Sequence, residues 1–393
     1  MANKKNSTGS SFFEQAAIMA KKTAKEVRRP KPGAIDSTFL LLIIVVLCTG
    51  LIMLLSASAP SANTKFGNSY SFFIKQLGFA VFGFAVMIGI SRIDYRYYKP
   101  FAKTFMVFCL ILLVLVLIPG IGVEHHGARR WLKTGTEWQP SELMKLAIGM
   151  FFASMIEDNK PNFKVIKNVF PYLGWMGATA ALLMLETHLS GTIIICGIGV
   201  IVLLVSGLSF KYLFGAGAVG LPLGIMLLRL DPVRWARMMN FIDPFKDTQD
   251  VGYQVVQGLY AIATGGFFGL GLGQSAQKYS YLPEPYNDFI FAIVCEELGL
   301  FGALAVMILF AALILRGIKI AAEAPDTFGS LLVVGITAQI ALQTILNIAV
   351  ATSCIPNTGV SLPFFSYGGT SLLVILAEMG IVLSVSRYSK KEL

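Results

Sequence analysis

Charge is what this sequence lacks most. Asp, Glu, Lys and Arg make up 14% of its 393 residues, where a water-soluble chain carries about a quarter. That scarcity excludes an ordinary soluble globular protein, and the hydrophobic share of 55% with a mean hydropathy of +0.69 points to lipid as the solvent. Histidine is scarcer still: His125, His126 and His188 are the 3 present, and their spacing fits no zinc site. Of 5 cysteines, Cys48, Cys109, Cys196 and Cys295 lie in apolar runs and Cys354 stands alone in a loop. Neither a disulfide framework nor a thiolate metal site is encoded. No short apolar core ending in small residues opens the chain, so a cleaved signal peptide is not expected. The stretch "TGGFFGLGLGQS" (264–275) has glycine spacing but no preceding strand and no Gly-Lys-Ser/Thr after it. It meets neither phosphate-binding fingerprint, and close backbone packing or irregular chain lining a cavity is the better reading.

What the sequence has in abundance is long apolar blocks. Windows long enough to cross ~30 Å of hydrocarbon occur about ten times, near 38–58, 71–91, 102–119, 141–157, 170–187, 190–206, 211–230, 287–316, 328–350 and 367–387. The expected class is an all-α polytopic membrane protein with about ten transmembrane helices. Residues 1–35 form a basic tail, with Lys4, Lys5, Lys21, Lys22, Lys25, Arg28, Arg29 and Lys31 against Glu14 and Glu26, and supply much of the +10 net charge. A cytoplasmic anchor beside anionic lipid is the reading, in preference to a nucleic-acid arm. Loops 91–103, 158–169 and 316–327 and the tail 388–393 are also Lys/Arg-rich, which places both termini in the cytoplasm. The membrane domain is then 36–387, and the large extracytoplasmic loop, 231–286, falls between the seventh and eighth spans.

Some outer segments defy the charge rule. Arg129, Arg130 and Lys133 precede Lys145, and Arg229, Arg234, Arg237 and Lys246 follow later. An anionic target on that face competes with the plainer reading of snorkelling and pairing with Asp231, Asp243, Asp247 and Asp250. Lys145 in "QPSELMKLA" could equally form an i,i+3 pair with Glu142 at a helix start marked by Pro140 and Ser141. Asp288, at the mouth of an apolar run, reads as an N-cap or as a group facing a cavity, with Asn287 able to cap in its place. Glu296 and Glu297 cannot both lie on its side of a helix, so one of them is expected to tie helices together.

Four segments, "HGARRWL…WQPSELMKLA" (126–147), "GYQVVQGLYAIATGGFFGLGLGQSAQK" (252–278), "YLPEPYNDFIFAIVCEELGLFG" (281–302) and "IPNTGVSLPFFSYGGTSL" (355–372), occur in this order. Together they resemble the SEDS family of bacterial cell-wall proteins, on the FtsW/SpoVE side more than the RodA side. The likeness covers everything after residue 36. Departures are "ETHLSGT" (186–192), where the family often has Gln-Pro-Asp-x-Gly-Thr, and Asn357, where Pro or Thr is common.

The resemblance implies a peptidoglycan glycosyltransferase that polymerises lipid II on the outer face of the bacterial cytoplasmic membrane. It implies a class B penicillin-binding protein, a transpeptidase, as partner, with other division or elongation proteins. The family's essential aspartate maps onto Asp288 as general base. Arg129, Arg130 and Lys145 map onto cationic motif positions. Gln139, Ser141, Glu284, Ser366, Tyr367, Gly368 and Gly369 complete the expected substrate-binding set, and loop 355–371 is expected across the cavity mouth. A divalent cation, magnesium or manganese, is admitted as a cofactor, and no organic cofactor or nucleic-acid partner is expected. Two other functions suit ten spans with buried charges: a transporter of the lipid-linked precursor, or a noncatalytic division scaffold.

Overall fold

The computed structural model describes residues 32–125, 128–134, 136–229, 235, 238, 241–246 and 252–389. Residues 1–31, His126, Asp231, Arg234, Arg237, Asp247 and Asp250 lie outside the described residues, as do the side chains of His125 and Lys133. Each apolar window contains a helix. In chain order these are α1 (Ser37–Phe66), α2 (Ser71–Arg92), α3 (Ala102–Leu117), α4 (Pro140–Asn159), α5 (Phe170–Leu185), α6 (Leu189–Val205) and α7 (Phe210–Arg229). Then come α8 (Tyr253–Gly265), α9 (Ile290–Glu323), α10 (Thr327–Ala351) and α11 (Gly369–Ser386). Among the described residues, 6 helices are long and apolar enough to cross a membrane: α1, α2, α3 with the 3₁₀ turn before it, α9, α10 and α11. The chain is a multi-pass membrane protein. Helices α5 and α6 are shorter and apolar, and α8 lies within the expected outer loop, packed on α9.

The all-α expectation is corrected at one place. Strands β1 (Gly122–His125), β2 (Ala128–Thr134) and β3 (Thr136–Trp138) form a 3-stranded antiparallel sheet in the order β1-β2-β3. The cause is alternation in "ARRWLKT": Ala128 and Leu132 are buried on one face, and Leu132 packs on Leu112 and Val116 of α3. Strand period two then sends Arg129 and Arg130 to opposite faces.

At the end of the bundle away from this sheet, capping carboxylates double as fasteners. Asp36 caps α1 through Phe39 N (2.8 Å) and receives Arg316 of α9. Asp326 caps α10 through Gly329 N (2.8 Å) and receives Tyr95 Oη and Arg96 Nε. Inside, α4 and α10 approach closely, because Gly149 and Gly335 face each other. Such small-residue contacts drive helix packing where lipid removes the hydrophobic incentive.

Helix α9 is broken at Gly299, whose φ of 68° and ψ of −169° are open in practice to glycine alone. An unbroken helix would bond N–H 300 to C=O 296 and N–H 301 to C=O 297. Here the glycine-rich segment takes both sides of that exchange. Leu300 N donates to Gly266 O (2.9 Å) and Phe301 N to Phe267 O (3.2 Å), while Leu270 N donates to Glu296 O and Gly271 N to Glu297 O, each 3.0 Å. The four backbone groups of those two pairs are therefore satisfied, as a dry interior requires. A Cβ on Gly269 would overlap the Glu297 carbonyl, so the approach needs glycine.

The two glutamates finish the clasp. Glu296 accepts from Ser275 Oγ (2.5 Å) and Ala276 N (3.0 Å). Glu297 pairs with Lys278 Nζ at 2.7 Å and accepts from Ser56 Oγ of α1. Both acids, rather than one, are structural, because the loop wraps around the helix to reach them.

Candidate functional site

The starts of four helices meet at one end of the bundle, and hydrogen bonds join them pairwise. Gln139, before α4, lies 3.0 Å from Nε2 of His188, before α6. Ser371 Oγ of α11 donates to Glu142 Oε2 of α4 at 2.6 Å. Tyr367 N, before α11, donates to Tyr286 O, before α9, at 2.9 Å. Positive helix ends gathered in this way favour anions.

Asp288 lies in the turn that enters α9 and is half-buried. It is not the cap of that helix: Phe289 holds the cap position, with no side-chain bond, and Asn287 Nδ2 instead donates to Glu284 Oε2 at 2.9 Å. Asn347 of α10 fixes the aspartate's backbone, its Nδ2 donating to both Asp288 O and Val360 O at 2.7 Å. Opposite the carboxylate stands Gly359, with φ +70°, where a Cβ would come within 3.2 Å of Asp288 Oδ2. A side chain there would crowd that oxygen by a few tenths of an ångström, and the positive φ favours glycine. Asn357 shapes this turn by accepting from Gly359 N (3.2 Å) and donating to Gln254 of α8 (3.0 Å).

The expected binding residues at 366–369 act in the structure through backbone and packing. Ser366 Oγ donates to Asn287 O (2.7 Å) and accepts from Leu362 N (2.8 Å). Gly368 N donates to Gln76 Oε1, and Gln76 Nε2 to Ser366 O. Gly369 opens α11 with the ring of Phe79 where a Cβ would stand. Tyr367 joins Phe72 and Tyr286 in an aromatic cluster, and Lys65 Nζ donates to Tyr286 Oη at 3.2 Å. Glu284 is exposed and adopts φ 44°.

The cationic side of the site is built on α4 and β2. Lys145 is 4% exposed and pairs with Glu142 Oε1 at 2.7 Å, so the i,i+3 pair exists and is buried. Ser141 is buried beside it. Arg129 faces outward and pairs with Glu124 at 3.0 Å. Arg130 faces inward, and its Nη2 donates to Thr187 O at 2.5 Å in the turn between α5 and α6. That turn is where the sequence departs from the family pattern. Burial pushes the Glu186 carboxyl up to about 8 against the pull of Arg130. His188 is held down to about 3 by burial and by the charges of Arg130 and Lys145, so the imidazole is neutral at pH 7.

One stretch of chain connects the acid to the cations. Residues 359–371 touch Asp288 at Gly359, the Asp288 segment at Ser366, and the partner of Lys145 at Ser371. Sequence reasoning missed Asn347, Gln76 and Gly359. The first two are amides in apolar runs, and that is the signal that could have found them. Among the described residues no group of three or more His, Cys, Asp and Glu could hold a metal by itself.

The family described as "Cell cycle protein", comprising FtsW, RodA and SpoVE, matches residues 37–391. Stage V sporulation protein E of Bacillus subtilis (strain 168) is 42% identical over 357 residues, 90% of this chain and 98% of that protein. The "Probable peptidoglycan glycosyltransferase FtsW" of Geobacter sp. (strain M18) is 36% identical over 353 residues, 89% of this chain and 96% of that one. Among solved structures, a chain of a peptidoglycan synthase complex that coordinates polymerization and crosslinking superposes with a TM-score of 0.76 at 26% identity. That match covers 91% of this chain and 99% of the other. The rod shape determining protein RodA of Thermus thermophilus gives 0.68 at 25% identity, with the same coverage. Sequence and fold match along nearly the whole length, and the chain belongs to the FtsW/RodA/SpoVE family.

Proposed function

We propose that this protein is a peptidoglycan glycosyltransferase that polymerises lipid II, the activity named for its FtsW relative, with Asp288 as the general base. The observation that carries the site assignment is the bridge by residues 359–371 between the Asp288 carboxylate and the Lys145–Glu142 pair. A sugar hydroxyl attacks C1 of the donor and passes its proton to Asp288. The C1–O bond breaks with its electrons leaving on the pyrophosphate, and the anomeric centre inverts. A base so placed contributes roughly 10²–10⁴ in rate. Arg130 and Lys145, with the converging helix starts, stabilise the leaving charge where water is excluded. Arg129, on the outer face of β2, meets the headgroup at the rim.

Glu284 and Asp288 are the carboxylates at this mouth. A magnesium or manganese ion takes one or two such ligands together with substrate phosphates, and it would neutralise the leaving pyrophosphate. The chain crosses the cytoplasmic membrane about ten times, with Lys/Arg-rich loops and both termini inside and the site outside. The basic composition of residues 1–35 suits anionic lipid, and 36–387 is the catalytic domain. A class B penicillin-binding protein is the partner, by analogy with the synthase complex it resembles.

The test is glycan-strand synthesis from lipid II by the purified protein, with and without a class B partner. Wild type should yield a ladder of strands, and Asp288→Asn, which keeps the size but removes the base, should fall by at least about 10². Undiminished polymerisation by that variant would falsify the assignment.

A further inference from the structure

One buried acid takes no part in the chemistry just described. Glu186 sits between α5 and α6, 1% exposed, and among the described residues neither of its carboxyl oxygens has a hydrogen-bond partner. The next peptide is engaged: Thr187 O accepts from Arg130 Nη2, so acid and guanidinium share one turn. An ionised carboxylate buried without hydrogen bonds is heavily penalised, and such a group takes up a proton instead. Burial places its proton loss at about 8, which agrees with the geometry.

The described groups around that acid are a neutral imidazole, two cations and two further acids. His188 in the same turn is neutral at pH 7, with its Nε2 beside Gln139. From α4, Lys145 is matched by Glu142 at 2.7 Å. From α11, Glu378 lies within electrostatic reach of that pair and accepts from Gln339 of α10. From β2, Arg130 is the charge that acts directly on Glu186.

We propose that Glu186 is a positioning residue that sets how much of Arg130's charge reaches an anionic headgroup. Protonated, it exerts no charge on the guanidinium. Ionised, it competes with the headgroup for the same cation. This rests on the reading that Arg130 meets the pyrophosphate of lipid II. By linkage, binding the anion favours the protonated acid, so lipid II binding takes up protons near the acid's midpoint. Affinity then falls on the alkaline side, by at most about tenfold per pH unit, the limit for one proton.

The experiment uses the full-length protein with its class B partner and lipid II as the probe, between about pH 6.5 and about pH 9.5. In wild type, KM and the dissociation constant should rise up to about tenfold from pH 8 to pH 9 with kcat moving less. Glu186→Gln and Glu186→Met should hold their pH 7 affinity across that range. Binding calorimetry at pH 8 in two buffers of different ionisation enthalpy should show proton uptake by wild type and none by Glu186→Gln. An alkaline rise that survives in both variants, or absence of proton uptake by wild type, overturns the proposal. Should both variants aggregate, the wild-type uptake measurement decides alone. A wild type that binds lipid II with proton uptake yet makes no glycan would instead overturn the polymerase reading.

Discussion

Lys278→Met offers a quantitative check on the clasp beneath Asp288. The ammonium is 3% exposed and the partner carboxylate of Glu297 is fully buried. Removing the cation leaves that carboxylate with Ser56 Oγ at 2.7 Å and the long contact from Ser275 N at 3.4 Å. Stranding one member of a buried pair costs about 3–5 kcal/mol. Because those donors remain, the lower end of about 3 kcal/mol is expected. Replacing both charges, Lys278→Met with Glu297→Gln, removes the stranded charge, and such exchanges are often near neutral. The double variant should therefore recover about 2–3 kcal/mol of the loss seen in Lys278→Met. A polytopic protein in detergent unfolds irreversibly, so the assay is the half-life of the monodisperse peak at one fixed temperature. If the clasp is closed in the unfolding transition state only weakly, 3 kcal/mol corresponds to a half-life shortened about 150-fold. A double variant as short-lived as the single one would show that Lys278 acts through something other than Glu297, and the argument would fail.

Two further substitutions probe the backbone around the base. Gly299→Ala places a Cβ against Gly269 N and the Phe267 carbonyl at a positive φ, and should abolish the monodisperse peak on size exclusion. Gly78→Ala, with nothing within 4 Å of the new atom, should behave as wild type. Asn347→Leu removes the donors to Asp288 O and Val360 O. Misplacing a reacting group by ~1 Å costs about 10², so kcat for polymerisation should drop by about 10–100-fold with little change in KM. An equal loss in kcat/KM carried by KM alone would argue against a role in holding the base.

Much of the bundle was legible because lipid imposes a simple code: apolar length gives the helix, and each window held one. Irregular backbone was not, since its logic is pairwise. Gly299 looks like one glycine in an apolar run, and its break is intelligible only beside residues 266–271, which supply the missing bonds. Helical spacing sets Glu296 and Glu297 apart, yet it does not reveal a loop long enough to serve both. Asp288 stands out in the sequence through its motif. Its cap role was excluded only by the helix starting at Ile290. The hairpin was missed because the strand alternation spans too few residues to stand out between long helical runs.

The hairpin also imposes a parity rule on this loop. Arg129 and Arg130 are neighbours in sequence, and only their phase in β2 decides which one salts the rim and which one reaches the Thr187 carbonyl. A kink in β1 between Val123 and Glu124 already shifts the pairing once. Inserting or deleting a single residue ahead of Ala128 would trade the jobs of the two arginines without altering the charge of the loop, so its length carries information that its composition does not.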